Sequence, residues 1–447
     1  MKSFTPMLTK KRKIVFLAID AVLYFTAFTL ILRLQIPNIQ AGESAISQLA
    51  ILGLISIVGQ YIFGNYDLDN IIDNKHFLKR QVSAAVFSLL ISLVSNYLLE
   101  NFLYQQFNQK LLLFVFAVFS IYIIIYKHFT VQMFKALRAK VKWLVIAPLE
   151  VQALIKADFA KIIFEGQIDF ISTSESLGDI YDKLLEPWST VITALSHEQS
   201  FGELGYIIDD KKQTGTNVVT ASEFYERHLL KVPLHILDYN WFVEASGLQS
   251  TAYVGYEKFK RLLDFSMAIF LFVISSPFIL LTYLLVKIDS KGSALYSQIR
   301  TGKDGIEFKI FKFRSMRMDA EKNGAVWASV NDSRVTRVGH FIRKTRLDEL
   351  PQIWNILKGD MSFVGPRPER PEFNELLEQS MPYYQLRHSV KPGLTGWAQV
   401  MYPYGASVDD SKEKLQYELY YMKHGGFFQD INVLFKTVAV VFGAMGR

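Results

Sequence analysis

Five long apolar runs punctuate this chain. Four lie in the first 142 residues, at about Ile14–Leu34, Leu49–Gly64, Val82–Leu99 and Leu111–Tyr126. Each is near the length of a bilayer-spanning helix, although the second is short. The fifth, Phe265–Val286, holds twenty-two residues without a charge, but Ser275, Ser276 and Pro277 sit in its middle. Between the fourth and fifth runs the period shortens. Trp143–Ala147, Ile162–Phe164, Ile168–Ile171, Thr190–Thr193 and Asn217–Thr220 read as short strands, with Leu149–Phe159 and other helical stretches between them. That alternation predicts a small α/β domain with a mostly parallel sheet. After the fifth run, Leu295–Arg300 and Glu307–Arg314 flank TGKDG and predict a β-hairpin. Leu350, Ile353, Trp354 and Leu357 recur at helical spacing, as do Ile431, Leu434, Phe435, Val438, Val441 and Phe442 near the end. The terminal helix either lies at a membrane interface or closes a core.

The charges orient these runs. Lys10, Lys11, Arg12 and Lys13 precede the first run, and the connector Gln35–Ser47 has no Lys or Arg. Lys75, Lys79 and Arg80 follow the second, Lys110 alone marks the third connector, and Lys127, Lys135, Arg138, Lys140 and Lys142 follow the fourth. The positive-inside rule then predicts four spans with both ends in the cytoplasm. Asp20, inside the first run, is read as a carboxylate facing another helix rather than a relay. Composition agrees with membrane segments joined to polar domains: of 447 residues, 50% are hydrophobic and 14% aromatic. The chain has no cysteine, which excludes disulfides, thiolate metal sites and cysteine nucleophiles. Its eight histidines show no zinc spacing. The net charge of +7 suits anionic partners: lipid headgroups, phosphorylated substrates or nucleic acid. In the middle region the first strand–helix turn reads IAPLEVQAL, without glycine, which argues against nucleotide binding there and for a structural or subunit-contact role.

The fifth run has basic residues on both sides: Lys258, Lys260 and Arg261 before it, Lys287 and Lys291 after. Pro277 removes a backbone N–H, and the serines can bond freed carbonyls. Two readings stand: a helix–break–helix that enters the inner leaflet and returns, or a kinked fifth span. Beyond it, residues 296–346 carry twelve Lys or Arg against five Asp or Glu, a surface fit for anionic lipid in any case. In RKTRLDELPQIWNILKGD, residues 343–360, Pro351 is tolerated only in a first turn, so the helix is expected to start near Asp348. Asp348 and Glu349 would then sit at its N-terminus, an ordinary capping arrangement were it not for Arg343, Lys344 and Arg346 just upstream. Those cations would hold a carboxylate ionised and draw in phosphate. Arg367, between Pro366 and Pro368, is presented on a stiff segment, as a phosphate ligand would be, although the stretch taken alone reads rather as a proline-rich linker. KPGLTGWAQV, residues 391–400, reads as a glycine-bearing turn beside a packed tryptophan.

KRLLDF with SSPF, FKIFKFRSM (308–316), RKTRLDELPQIWNILKGDMSFVGPRP (343–368) and KPGLTGWAQV, in this order over about 257–447, resemble the bacterial sugar transferases, in their large polytopic form. These are polyprenyl-phosphate hexose-1-phosphate transferases that prime exopolysaccharide, capsule and O-antigen (lipopolysaccharide) synthesis. The resemblance implies transfer of a sugar-1-phosphate from a UDP-sugar to undecaprenyl phosphate, with UMP released through a covalent phosphosugar–Asp intermediate. It places the family's dyad on Asp348 and Glu349, the first as nucleophile, with Mg²⁺ at both. Lys312, Arg314, Arg343 and Arg367 are candidate phosphate ligands, and the re-entrant break falls on Ser276–Pro277. The expected fold is a membrane protein of α plus α/β class. A four-helix transmembrane bundle (1–142) precedes a Rossmann-like cytoplasmic domain without the glycine motif (143–250). A mostly helical catalytic domain with a re-entrant helix and a β-hairpin follows (251–447). Inner-membrane lipids are expected partners, a homodimer through the middle domain is compatible, and nucleic acid is not expected. The localisation implied is the bacterial inner membrane, multi-pass, with the soluble domains facing the cytoplasm. A lipid-binding scaffold, or an enzyme that moves sugar alone and releases UDP, would share the basic face.

Overall fold

The computed structural model describes residues 15–26, 43–66, 74–103, 109–138, 141–160, 166–237, 251–318, 320, 332–402, 405 and 407–441. The chain divides into two compact units, one formed by Leu229–Thr437 and the other by Met1–His228 with Val438–Arg447.

The four N-terminal apolar runs are helical over Val15–Thr26, Glu43–Ile62, Asn74–Leu103 and Gln109–Arg138, with the second run ending in a turn at Phe63 and Gly64. Among the described residues, Phe77–Ser95 and Gly255–Asp289 are long and apolar enough to cross a bilayer. Asp20 does face another helix: its carboxylate lies 3.0 Å from the Lys127 ammonium, and both side chains are fully buried. Lys127 was expected among the charges flanking the fourth run. It is instead inside, donating to the Asn65 carbonyl at 3.2 Å and lying 4.4 Å from the centre of the Tyr66 ring. An isolated ammonium could not be buried so; the opposite charge on Asp20 makes it tolerable.

The α/β portion is a four-stranded, all-parallel sheet of β1 (Lys142–Ala147), β2 (Gln167–Ser172), β3 (Thr190–Thr193) and β4 (Asn217–Thr220), in the order β2-β1-β3-β4. The central strand ends in an unbroken buried run, Leu144–Ala147, as a strand covered on both faces requires. The intervening helices start where short polar side chains accept backbone N–H groups: Ser176 from Asp179, Ser196 from Gln199 and Thr220 from Glu223. The strand expected at Ile162–Phe164 lies outside the described residues.

The second unit opens with the segment 230–237, whose Val232 and Leu234 join a core with Phe308, Ile310, Ile353, Phe363, Trp397, Leu415 and Val433. A single helix, Thr251–Asp289, carries the fifth apolar run. Helical backbone continues through Ser276–Pro277, where a break was expected. Pro277 cannot donate to the carbonyl four residues back, that of Val273. The Ser276 hydroxyl donates to it instead, at 2.8 Å, so the ladder is repaired locally. One stripe of this helix, with Asp264, Ala268, Thr282 and Val286, is buried, while Phe270, Val273, Phe278 and Leu281 are bare. The hairpin forms as expected, β5 (Leu295–Thr301) antiparallel to β6 (Glu307–Phe313). The KPGLTG segment forms a strand rather than a turn: β8 (Gly393–Thr395) runs parallel to β7 (Ser362–Val364). The terminal helix Phe427–Val441 does close the core through Val433 and Leu434, yet Phe428 near its start is 85% exposed.

Candidate active site

Asp348 and Glu349 lie on a single 3-10 turn, Leu347–Glu349, rather than on the first turn of the next α-helix, which is Gln352–Lys358. Two residues force this. Arg346 takes a left-handed conformation, φ 60°, after the Arg337–Lys344 helix and reverses the chain. Pro351 has no N–H to extend an α-helical ladder back to Leu347. Neither carboxylate therefore rests on a helix terminus, and Glu349 is held by side chains instead.

The turn is docked against the hairpin by Asn355, which is fully buried. Its side-chain amide donates to the Lys309 carbonyl at 2.7 Å and accepts from the Phe311 N–H at 3.1 Å. Asn355 thus mimics a further strand beside β6 and sets Lys312 next to the turn. The Lys312 ammonium reaches Glu349 Oε1 at 3.5 Å, and Arg367 Nη2 reaches the same oxygen at 3.2 Å. Burial works against ionisation of Glu349, which is 9% exposed, but Arg367 and Lys312 outweigh it and hold the carboxyl down at about 2. Lys312 is pushed down to about 8, first by burial, with Arg367 and Arg300 adding to it against the pull of Glu349.

Asp348 differs from its neighbour. It is 8% exposed, its Oδ1 is buried without a hydrogen-bond partner, and burial plus the Glu349 charge push its carboxyl up to about 6. Lys312, Arg346 and Arg343 pull the other way without a hydrogen bond to it in the structure. One carboxylate is thus clamped and permanently charged, and the other is unclamped with a bare oxygen. That division suits a nucleophile beside a charge-holding partner. It also fits a cation bound through few protein oxygens, as Mg²⁺ is bound when phosphate supplies the rest.

Arg367 is delivered by the loop after β7. Gly365 and Gly393 permit it: a Cβ on Gly393 would stand 2.1 Å from the Gly365 nitrogen, and one on Gly365 would stand 2.3 Å from the Lys391 carbonyl oxygen. That close backbone approach explains glycines in both GPRP and KPGLTG. Of the expected phosphate ligands, Lys312 and Arg367 converge on the dyad and Arg343 is within charge reach. Arg314 is engaged elsewhere. Its guanidinium donates to the Ser290 carbonyl at 2.8 Å and hydroxyl at 2.9 Å, and so satisfies the end of the long helix. Ser276 and Pro277 lie within that helix and have the structural role already described. Arg300 was missed: it is on β5, four register pairs from the Tyr296–Lys312 pair and on the same face. The period-two spacing of Tyr296, Gln298 and Arg300 could have revealed it. Arg387 was also missed, and nothing local in the sequence marks it.

A family profile described as "Bacterial sugar transferase" matches residues 255–444. The chain is 43% identical over 191 residues to the UDP-N-acetylgalactosamine-undecaprenyl-phosphate N-acetylgalactosaminephosphotransferase of Aeromonas hydrophila, covering 43% of this chain and 45% of that protein. It is 40% identical over 181 residues to the UDP-glucose:undecaprenyl-phosphate glucose-1-phosphate transferase of Escherichia coli strain K12, covering 40% and 39%. An exopolysaccharide production protein of Rhizobium leguminosarum bv. phaseoli is 37% identical over 185 residues, 40% of this chain and 92% of that one. The matches thus span less than half of the Aeromonas and Escherichia proteins.

Proposed function

The chain belongs to the bacterial sugar transferase family, and from that premise we propose that it moves a sugar-1-phosphate from a UDP-sugar to undecaprenyl phosphate, releasing UMP, as the priming step of a surface polysaccharide. The observation that carries this reading is the contrast within the dyad, a clamped Glu349 beside an Asp348 with an unpaired oxygen. Asp348 attacks the donor phosphorus that bears the sugar. The bond from that phosphorus to the oxygen bridging to the uridine phosphate breaks, and UMP leaves with the electron pair. An oxygen of undecaprenyl phosphate then attacks the phosphosugar–Asp348 adduct, and the carboxylate returns. Phosphoryl transfer needs positioning and neutralised charge more than unusual reactivity. Lys312 and Arg367 supply both, and Arg343 and Arg346 add positive field. Asp348 and Glu349 would hold Mg²⁺, which when bound neutralises phosphate charge.

Orientation follows from the same reading. The bare apolar face of Thr251–Asp289 lies in lipid, and a bend at Pro277 within this continuous helix turns the segment back from the inner leaflet, which keeps the dyad in the cytoplasm beside the lipid carrier's headgroup. The chain has no cysteine, so a single Lys291→Cys reports topology cleanly: labelling only from the cytoplasmic side is expected, and periplasmic labelling rejects re-entry. The activity test uses membranes with undecaprenyl phosphate and a panel of UDP-glucose, UDP-galactose and their N-acetylated relatives. UMP should appear with one of them, and Asp348→Asn should lower its release by at least about 1,000-fold. Release of UDP instead, or full turnover in Asp348→Asn, defeats the reading.

A further inference from the structure

The residues 366–369, which carry Arg367, expose four consecutive carbonyls, and each is held. The Gly393 N–H donates to Pro366 at 2.8 Å, Arg387 Nη2 to Arg367 at 2.7 Å, Arg300 Nη1 to Pro368 at 3.0 Å and the Thr301 N–H to Glu369 at 3.0 Å. Two of the four donors are guanidinium groups brought from distant chain. Prolines at 366 and 368 remove two N–H groups that could otherwise pair differently, and fix φ at those positions.

The anchors are themselves tied together. Arg387 binds Glu418 in a two-pronged pair, Nε to Oε2 at 2.8 Å and Nη2 to Oε1 at 2.9 Å, with both side chains buried. Its Nη1 donates to the Tyr384 hydroxyl at 2.9 Å, which donates to Asn374 Oδ1 at 2.8 Å. Asn374 Nδ2 donates to the Thr301 hydroxyl at 2.6 Å, and Thr301 is the residue whose N–H holds Glu369. The hydrogen bonds close a ring that starts and ends on the loop. Every donor and acceptor in it is used in a consistent direction. A buried ion pair of this kind contributes little net stability but fixes geometry when fully satisfied.

We infer that Arg387, fixed by Glu418, and Arg300 are positioning residues: they act through the carbonyls of Arg367 and Pro368 respectively to hold the Arg367 side chain on Glu349 and on the donor phosphate. This rests on the proposed phosphotransferase reading. Arg387 touches no carboxylate of the dyad in the structure; it orients the residue that does. Only a planar fork can serve Glu418, Tyr384 and the Arg367 carbonyl at once, so lysine, with the same charge, cannot replace it.

The test is a double-mutant cycle in the purified full-length protein, read together with hydrogen exchange. Arg387→Lys should lower kcat about 10- to 100-fold with the donor KM changed by less than about threefold. In an Arg367→Ala background the same substitution should cost less than about twofold, because the residue it acts through is gone. Exchange in residues 363–370 should rise in Arg387→Lys while Glu307–Phe313 stays protected. Should Arg387→Lys fail to fold, the pair Arg387→Met with Glu418→Leu leaves no orphaned buried charge and is read in its place. Additive losses in the cycle, or unchanged exchange in residues 363–370, overturn the inference. Absence of UMP release by the unsubstituted protein overturns the functional reading instead, and the exchange measurement still decides the positioning role.

Discussion

At the scale of single residues, two adjacent carboxyls with similar intrinsic acidity are driven apart by what surrounds them. Glu349 is held near 2 by two cations, and Asp348 is raised to about 6 by burial and by its neighbour. The sign is fixed by the direction of each shift. Asp348 keeps its proton below about pH 6, so under the proposed mechanism it can attack only above it; Lys312 loses its charge above about 8, and under the same mechanism its hold on phosphate. The profile of kcat/KM against pH should therefore be a bell with limbs near 6 and 8, and Lys312→Arg should move the alkaline limb upward while leaving the acid limb in place. Arg314 makes the opposite point. In sequence it shares a basic stretch with Lys312, yet its donors go to Ser290. Arg314→Lys should cost about 1–3 kcal/mol of stability, seen in thermal unfolding, with the donor KM unchanged; a raised KM would return Arg314 to the substrate site.

Secondary structure elements are joined by a few buried polar side chains rather than by regular pairing alone. Asn355 ties the Gln352–Lys358 helix to β6 through two backbone bonds. Asn355→Leu should destabilise the domain by about 2–4 kcal/mol, because a buried N–H and a buried carbonyl are both orphaned, and kcat should fall with it as Lys312 loosens from Glu349. Equal loss in stability with unchanged kcat would mean that the docking does not set Lys312. Ser276 shows how a proline fits inside a long apolar helix: its hydroxyl takes over the bond that Pro277 cannot make, and the element continues.

Over the whole molecule, the apolar excess in composition goes to helices, and among the described N-terminal ones a buried charge is met by its opposite. Asp20 and Lys127 are 107 positions apart and meet inside the N-terminal helices. Asp20→Asn alone should destabilise that unit by about 3–5 kcal/mol, since it leaves a buried ammonium without a counter-charge, whereas Asp20→Asn with Lys127→Met should recover most of the loss. Thermal unfolding in detergent reads both, and a double variant no better than the single one would show that the pair does not act as a unit.

What the sequence determined by itself is what depends on neighbours along the chain. The apolar runs, the strand–helix alternation of the α/β portion and the hairpin around TGKDG all follow from local period, capping residues and proline or glycine placement, whereas Asp348 and Glu349 stood out by the cations upstream and by resemblance, and their expected place on a helix N-terminus gave way to a 3-10 turn. The order β2-β1-β3-β4, the diversion of Arg314 to Ser290, the burial of Lys127 against Asp20 and the hold of Arg387 on the Arg367 carbonyl needed the tertiary structure. Each is a contact between segments distant in sequence. The direction of a guanidinium or the pKa of a carboxyl is set by whichever charges and surfaces folding brings within a few ångströms, and no local pattern encodes which those will be.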